Sequence, residues 1–296
     1  MHKVWLGPSA SHYEGALSRY PEIKLVDSSI RYFPDGESCI KLEEDVRNED
    51  VIVLQNTAPP QDLNLRHLYQ MVDVLRHNRA RTITCIVPYL AYSRQDRRTH
   101  SGEPFSAEIV IRTLAMLGAD TLATVELHNP KMDISTTMKL VNLSTDNLFV
   151  KWINHLTLER PVLVAPDKGS HKRIQKIAQI VDIPCVCLEK YKKADGETWY
   201  EENGELDLHS RHAIIIDDLC SSGSTLIPLC KYLTDIGIVS VNYGVTHFFA
   251  NSFQLKQKIG ADLKIYCTDT VPTDDSNISI EQLLFSFITK EWRIIS

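Results

Sequence analysis

The 296-residue sequence contains no Cys-x-x-Cys pair, no Gly-Lys dipeptide, no Gly-x-Gly and no His-Glu-x-x-His. Those gaps exclude a paired-cysteine redox or zinc motif, a Walker A loop, the dinucleotide fingerprint and the zincin helix. The cysteines, Cys39, Cys85, Cys185, Cys187, Cys220, Cys230 and Cys267, are odd in number and lie mostly in apolar runs. That is the pattern of reduced, buried thiols in the cytosol rather than of a secreted disulfide framework. No cationic-then-apolar leader opens the chain and no apolar run reaches the roughly 18 residues of a membrane span. The expectation is therefore a soluble, cytoplasmic protein with no membrane partner. Glycine and proline number 12 and 13, too few for a collagenous or low-complexity chain. Basic residues are also short, 32 against 38 acidic, for a net charge of −6. This argues against nucleic acid as a partner and leaves room for a local anion pocket.

What is present is an alternation of short β-branched runs with amphipathic segments, the signature of an α/β protein with a largely parallel sheet. Val51 to Leu54 reads as a strand, Leu65, Leu68, Met71, Val72 and Leu75 share a helical face, and Thr84 to Val87 reads as the next strand. The same order recurs with Ala213 to Ile216, then Leu226, Leu229, Leu233 and Ile236, then Val239 to Val245. Further strands are expected at Lys3 to Leu6, Leu122 to Leu127, Pro161 to Ala165, Pro184 to Leu188 and Leu263 to Cys267. Further helices are expected at Ser106 to Leu117, Ser170 to Val181 and Ser279 to Ile288. The chain reads as two copies of one architecture with a boundary near Leu143 to Asp146. Ser93 to Pro104 and Tyr191 to Arg211 read as long polar loops, a length usually tied to function.

The strongest chemical signal is Ile214-Ile215-Ile216-Asp217-Asp218-Leu219-Cys220-Ser221-Ser222-Gly223-Ser224-Thr225. An apolar strand runs into two acids, then hydroxyl residues around one glycine, then a helix. Backbone N–H groups at such a helix start, with the hydroxyls, make a nest for a phosphate monoester, and the acids are placed to face sugar hydroxyls, directly or through a metal. A second junction, Ala165-Pro166-Asp167-Lys168-Gly169-Ser170-His171-Lys172-Arg173, places cations in the first turn of a helix. Cations there oppose the helix dipole, and a bound pyrophosphate resolves the conflict; the simpler alternative is that these side chains point to solvent. Glu126-Leu127-His128-Asn129 also follows a strand and joins the Arg94 to Arg98 cluster at the same sheet edge.

Phe33-Pro34-Asp35-Gly36-Glu37, Tyr92-Ser93-Arg94-Gln95-Asp96-Arg97, Glu126-Leu127-His128, Pro166-Asp167-Lys168-Gly169, Glu189-Lys190-Tyr191-Lys192 and the Asp217 to Thr225 segment occur in the order in which the ribose-phosphate pyrophosphokinase (phosphoribosyl pyrophosphate synthetase) family carries its motifs. The resemblance extends over nearly the whole chain. It implies two pseudo-symmetric phosphoribosyltransferase-type (type I) domains, residues 1–144 on the ATP side and 145–278 on the ribose 5-phosphate side. Residues 279–296 would form a C-terminal helix and tail packing back on the first domain. It implies Mg2+-dependent transfer of the diphosphoryl group of ATP to the 1-hydroxyl of ribose 5-phosphate, by a homo-oligomer, dimer or hexamer.

Residue by residue, the resemblance gives catalytic roles to Lys190 and Lys192. It gives ATP contacts to Phe33, Asp35, Glu37, Arg94, Gln95, Asp96, Arg97 and His128, the Phe33 to Glu37 loop reaching the adenine of a neighbouring subunit. Ribose 5-phosphate contacts fall to Asp217, Asp218, Ser221, Ser222, Gly223, Ser224 and Thr225, and metal contacts to His128 and Asp167. Three departures stand out. Ser221-Ser222 replaces a common Asp-Thr, Ser224 replaces a second glycine, and Lys192 stands where the mobile loop usually has arginine, keeping charge but losing the bidentate fork. Two alternatives stay open: a non-catalytic regulatory paralogue and a phosphoribosyltransferase.

Overall fold

A computed structural model describes residues 1–132, 134–192, 198–202, 206–260 and 262–290. The chain forms two compact units, Met1–Ser144 with the described part of Ile280–Ser296, and Thr145–Ser279. The fold is α/β, with two mainly parallel sheets flanked by helices.

In the first unit, strand β1 (His2–Leu6) is followed by a short helix α1 (Glu14–Leu17) and strand β2 (Ile23–Leu25). An antiparallel hairpin, β3 (Ser28–Tyr32) and β4 (Ser38–Leu42), precedes β5 (Asp50–Leu54), α2 (Gln61–His77) and β6 (Thr82–Val87). Then come α3 (Ser106–Leu117), β7 (Thr121–Val125) and β8 (Lys139–Leu143). The six-stranded sheet has the order β2-β1-β5-β6-β7-β8 and every pairing in it is parallel. Helix α2 buries Leu65, Leu68, Met71, Val72 and Leu75, the face read from their helical spacing. Strand β7 stops at Val125, two residues short of expectation, because Glu126 turns the chain with a φ of 43°.

The second unit opens with α4 (Asp146–His155), β9 (Pro161–Ala165), α5 (Lys168–Val181) and β10 (Cys185–Lys192). It continues through β11 (Thr198–Glu202), β12 (His212–Cys220), α6 (Leu226–Asp235), β13 (Ser240–Phe248), α7 (Ser252–Ile259), β14 (Asp262–Thr268) and β15 (Ser276–Ile278). The strand order is β11-β10-β9-β12-β13-β14-β15. Apart from the antiparallel edge strand β11, this is the topology of the first unit: the first strand has the second on one side and the later strands on the other. Both faces of the sheet are covered. Val164, Ile215, Tyr243 and Val245 pack under α6, while Leu163, Ala165, Ile214 and Ile216 pack with α4 and α5, which is why these strands read as unbroken apolar runs.

Helix α8 (Glu281–Lys290) returns to the first unit. Phe285 stacks on Tyr20 at 3.8 Å between ring centroids, and Glu281 accepts from Arg19 and from the Tyr20 hydroxyl at 2.9 Å. The carboxylate beside it raises the Tyr20 phenol above its ordinary pKa.

The polar stretch read as one loop, Tyr191 to Arg211, is a correction. Tyr191 and Lys192 continue β10, and Thr198–Glu202 pairs back on it, Lys190 opposite Tyr200 and Tyr191 opposite Trp199. Tyr200 is 3% exposed while the adjacent Trp199 is 37% exposed and the other β11 residues are Thr198, Glu201 and Glu202, so the one inward residue stands beside an outward aromatic and no period-two pattern marks the strand. The part of this stretch at residues 193–197 and 203–205, and the side chain of Lys192, lie outside the described residues.

Candidate active site

In an open parallel sheet, ligands bind beyond the carboxyl ends of the strands, at the point where successive connections leave in opposite directions. In the second unit that point lies between β9 and β12, with Asp167 just beyond β9 and Asp217 and Asp218 near the end of β12. Pro166 ends the β9 ladder because it has no N–H to give. The next residue, Asp167, caps α5: its Oδ1 accepts Ser170 N–H at 2.9 Å and Ser170 Oγ–H at 3.1 Å. Strand β12 runs on through Asp217, Asp218 and Cys220, so the two acids are strand residues and the turn proper is Ser221 to Thr225.

Asp217 is held from both sides. Its Oδ1 accepts the Asp218 N–H at 2.9 Å and its Oδ2 accepts the Tyr243 hydroxyl at 2.9 Å. Burial, followed by the charge of Asp218, pushes its carboxyl up to about 7. Two neighbouring carboxyls here oppose the ionisation of Asp217, an opposition that hydroxyl donors or a cation relieve.

Beyond the acids, Ser221, Ser222 and Ser224 are exposed and Gly223 is buried. Gly223 has a φ of +78°, and a Cβ there would stand 2.2 Å from Leu255 Cδ2 of α7, so only glycine fits the turn. The nest therefore keeps its one essential glycine, and Ser224 occupies an exposed position. Lys190 Nζ lies 3.4 Å from Thr225 Oγ1, and the Tyr200 hydroxyl donates to the Thr225 carbonyl at 3.3 Å. The β10–β11 ribbon thus brings a lysine to the first turn of α6.

Of the cations at the start of α5, Lys168 and Arg173 have carboxylate partners, so the conflict with the helix dipole is met inside the protein, while Lys172 is exposed and the Lys168 side chain stays largely in solvent, as the simpler alternative expects. Lys168 pairs with Glu189 at 2.7 Å and Arg173 with Asp146 at 2.7 Å. The Glu189 carboxylate raises the Lys168 pKa, and Tyr191 donates to the same carboxyl at 2.5 Å. Glu189 stood in the motif quoted above without a role; its spacing from Lys168 gave no sign of the contact.

In the first unit, the segment after β6 carries exposed Arg94, Gln95 and Arg97 and half-buried Asp96. Asn129 Nδ2, next to exposed His128, donates to Asp96 Oδ2 at 2.7 Å, which ties the loops after β6 and β7 together. Gln95 accepts from Ser106 Oγ at 2.5 Å, fixing the same segment to the start of α3. The tip of the β3–β4 hairpin is separate and closed by local bonds: Phe33 N–H to the Glu37 carbonyl at 2.8 Å, and Glu37 N–H to Asp35 Oδ1 at 3.1 Å. Phe33 is 40% exposed with the Arg31 guanidinium 4.9 Å from its ring centroid.

At the equivalent switch point of the first unit, between β1 and β5, stands the fully buried Gln55, and a Cβ on Gly7 would lie 2.0 Å from Gln55 Oε1. That unit presents its polar residues at β6 and β7 instead.

Among the described residues no three His, Cys, Asp or Glu side chains gather as a preformed metal cage, no disulfide joins the cysteines, and no helix is long and apolar enough to cross a membrane.

The N-terminal domain of ribose phosphate pyrophosphokinase matches residues 3–118 as a family, and the phosphoribosyl transferase domain matches residues 142–278. The ribose-phosphate pyrophosphokinase of Saccharolobus solfataricus is 32% identical over 279 residues, covering 93% of this chain and 95% of that protein. That of Methanothermobacter thermautotrophicus is 33% identical over 261 residues, covering 88% and 90%. The crystal structure of phosphoribosylpyrophosphate synthetase from Mycobacterium smegmatis superposes with a TM-score of 0.87 at 24% identity, covering 99% of this chain and 100% of that one, and shows the same fold. Two domain matches in the family's order and relatives at this identity over almost their full length lead to one conclusion: the chain belongs to the ribose-phosphate pyrophosphokinase family.

Proposed function

We propose that the protein transfers the β,γ-diphosphoryl group of ATP to the 1-hydroxyl of ribose 5-phosphate, giving AMP and 5-phosphoribosyl 1-pyrophosphate for nucleotide biosynthesis. The observation that carries this reading is the conjunction, within one family member, of an acid pair, a glycine-centred hydroxyl turn and Lys190 reaching that turn.

The division of labour follows from residue chemistry. Ser221 to Thr225 receive the 5-phosphate on backbone N–H groups and hydroxyls at the start of α6, and Asp217 and Asp218 accept from the ribose hydroxyls. Arg94, Gln95, Asp96, Arg97 and His128 take the triphosphate and nucleotide of ATP. Phe33, Asp35 and Glu37 at the exposed hairpin tip meet the adenine of a neighbouring subunit in a homo-oligomer, dimer or hexamer. Lys190 and Lys192 carry positive charge toward the transferring group. The protein's task is then positioning and charge stabilisation, since diphosphoryl transfer asks for little covalent chemistry from side chains.

Isolated carboxylates at strand ends suit Mg2+, which keeps several waters and prefers substrate phosphate oxygens over an all-protein cage. Asp167 in the second unit and His128 in the first are each expected to contribute to metal binding, and bound Mg2+ would neutralise phosphate charge. Purified protein with ATP, ribose 5-phosphate and Mg2+ is expected to form AMP, and chelation to stop it. Absence of AMP across a range of metal and inorganic phosphate concentrations overturns the reading and leaves the regulatory alternative.

A further inference from the structure

Tyr243 sits on β13 opposite Ile215 of β12, on the sheet face that α6 covers, and is 1% exposed. Its side chain reaches diagonally along the neighbouring strand to Asp217, two residues beyond Ile215 on the same face. A buried phenol needs some acceptor, and a backbone carbonyl would serve. Here the acceptor is a carboxylate that burial and Asp218 both disfavour in its charged form. Packing alone does not call for so costly a partner.

We propose that Tyr243 is a positioning residue for sugar recognition: its hydroxyl fixes the Asp217 carboxylate so that the lone pairs left over meet the hydroxyls of ribose 5-phosphate. This rests on the function proposed above. A carboxylate offers about four acceptor sites, and the Tyr243 hydroxyl and the Asp218 N–H take one on each oxygen, which fixes the direction of the others. The phenol is rigid and buried, so it sets this direction without ordering a mobile side chain on binding. The titratable groups around Asp217 are Asp218 and Cys220 on its own strand, Tyr243 on β13 and Tyr200 on β11.

The test is Tyr243→Phe, Asp217→Asn and the double variant, each checked for a cooperative melt. Steady-state kinetics is run in both substrates, and ribose 5-phosphate binding is followed by calorimetry without turnover. Tyr243→Phe is expected to raise KM and Kd for ribose 5-phosphate about tenfold, the scale of one lost hydrogen bond to a charged group, with kcat and the ATP KM within about twofold. The acidic limb of kcat/KM for ribose 5-phosphate moves to higher pH, because the carboxylate has lost a donor. In the Asp217→Asn background, Tyr243→Phe adds nothing further. A folded Tyr243→Phe with wild-type affinity, or with losses that add to those of Asp217→Asn, overturns the proposal. If the wild type neither binds ribose 5-phosphate nor forms AMP, the function itself falls, an outcome distinct from an active enzyme indifferent to Tyr243.

Discussion

Lys190 and Thr225 stand 3.4 Å apart, Nζ to Oγ1, although they belong to different layers: the lysine to the edge ribbon of the sheet, the threonine to the residue preceding α6. The ribbon carries a charge to the place where the hydroxyl-rich turn meets its helix. Lys190→Ala is expected to lower kcat by about 100-fold or more, as removal of one group aimed at developing charge does, while ribose 5-phosphate still binds in calorimetry. Unchanged turnover removes Lys190 from the chemistry.

Gly223→Ala forces a side chain into a left-handed backbone and against Leu255. The two effects together are expected to cost about 2–4 kcal/mol. The melting temperature falls, and ribose 5-phosphate affinity falls further than ATP affinity. Leu255→Ala in the same chain relieves the collision but not the backbone strain, so it recovers only part of the loss.

Asp217 gives the fold a pH signature. Its carboxyl titrates near 7 in the folded chain against an ordinary 3.8. The raised value means the folded state holds a proton that the unfolded state releases, so this contribution to stability is complete below about pH 4 and is lost as pH rises through about 7. Asp217→Asn removes that slope and is expected to gain about 1–2 kcal/mol over the wild type at pH 8. Melting curves from pH 4 to pH 8, without ligand, read the difference; parallel curves for the two proteins would contradict it.

The β3–β4 tip is the place to separate the two substrates. Phe33→Ala or Glu37→Ala is expected to raise the ATP KM about tenfold and leave the ribose 5-phosphate KM near its wild-type value, the scale of one or two lost contacts. Sedimentation then tells whether the same tip holds subunits together: a wild type that is monomeric at assay concentration contradicts the shared adenine site.

Much of the fold was legible because both sheet faces are covered, so β5, β6, β9 and the Ala213–Ile216 part of β12 are mostly apolar, and β13 is buried throughout although it carries Ser240, Asn242, Thr246 and His247. The hairpin strand β3 was not, since four of its five residues are exposed and nothing in their spacing marks a pleat. Strand β11 hid for the same reason. The acid pair and its turn were legible as a local run of residue types. The contacts that give them shape were not: Tyr243 reaches Asp217 across 26 residues, and Lys168 reaches Glu189 from another element. Such contacts depend on register between strands, which composition does not encode.

The buried Gln55 has a further consequence. Two copies of one strand order ordinarily mean two equivalent crevices, yet in the first unit the shared position holds a buried amide anchored by Ser9 N–H at 3.3 Å and by the Asn64 carbonyl at 3.2 Å. The two copies are thereby unequal at the position they share: one presents an acid pair, the other a buried amide. The first unit presents its exposed polar side chains elsewhere, on the loops after β6 and β7 that the Asn129–Asp96 bond ties together.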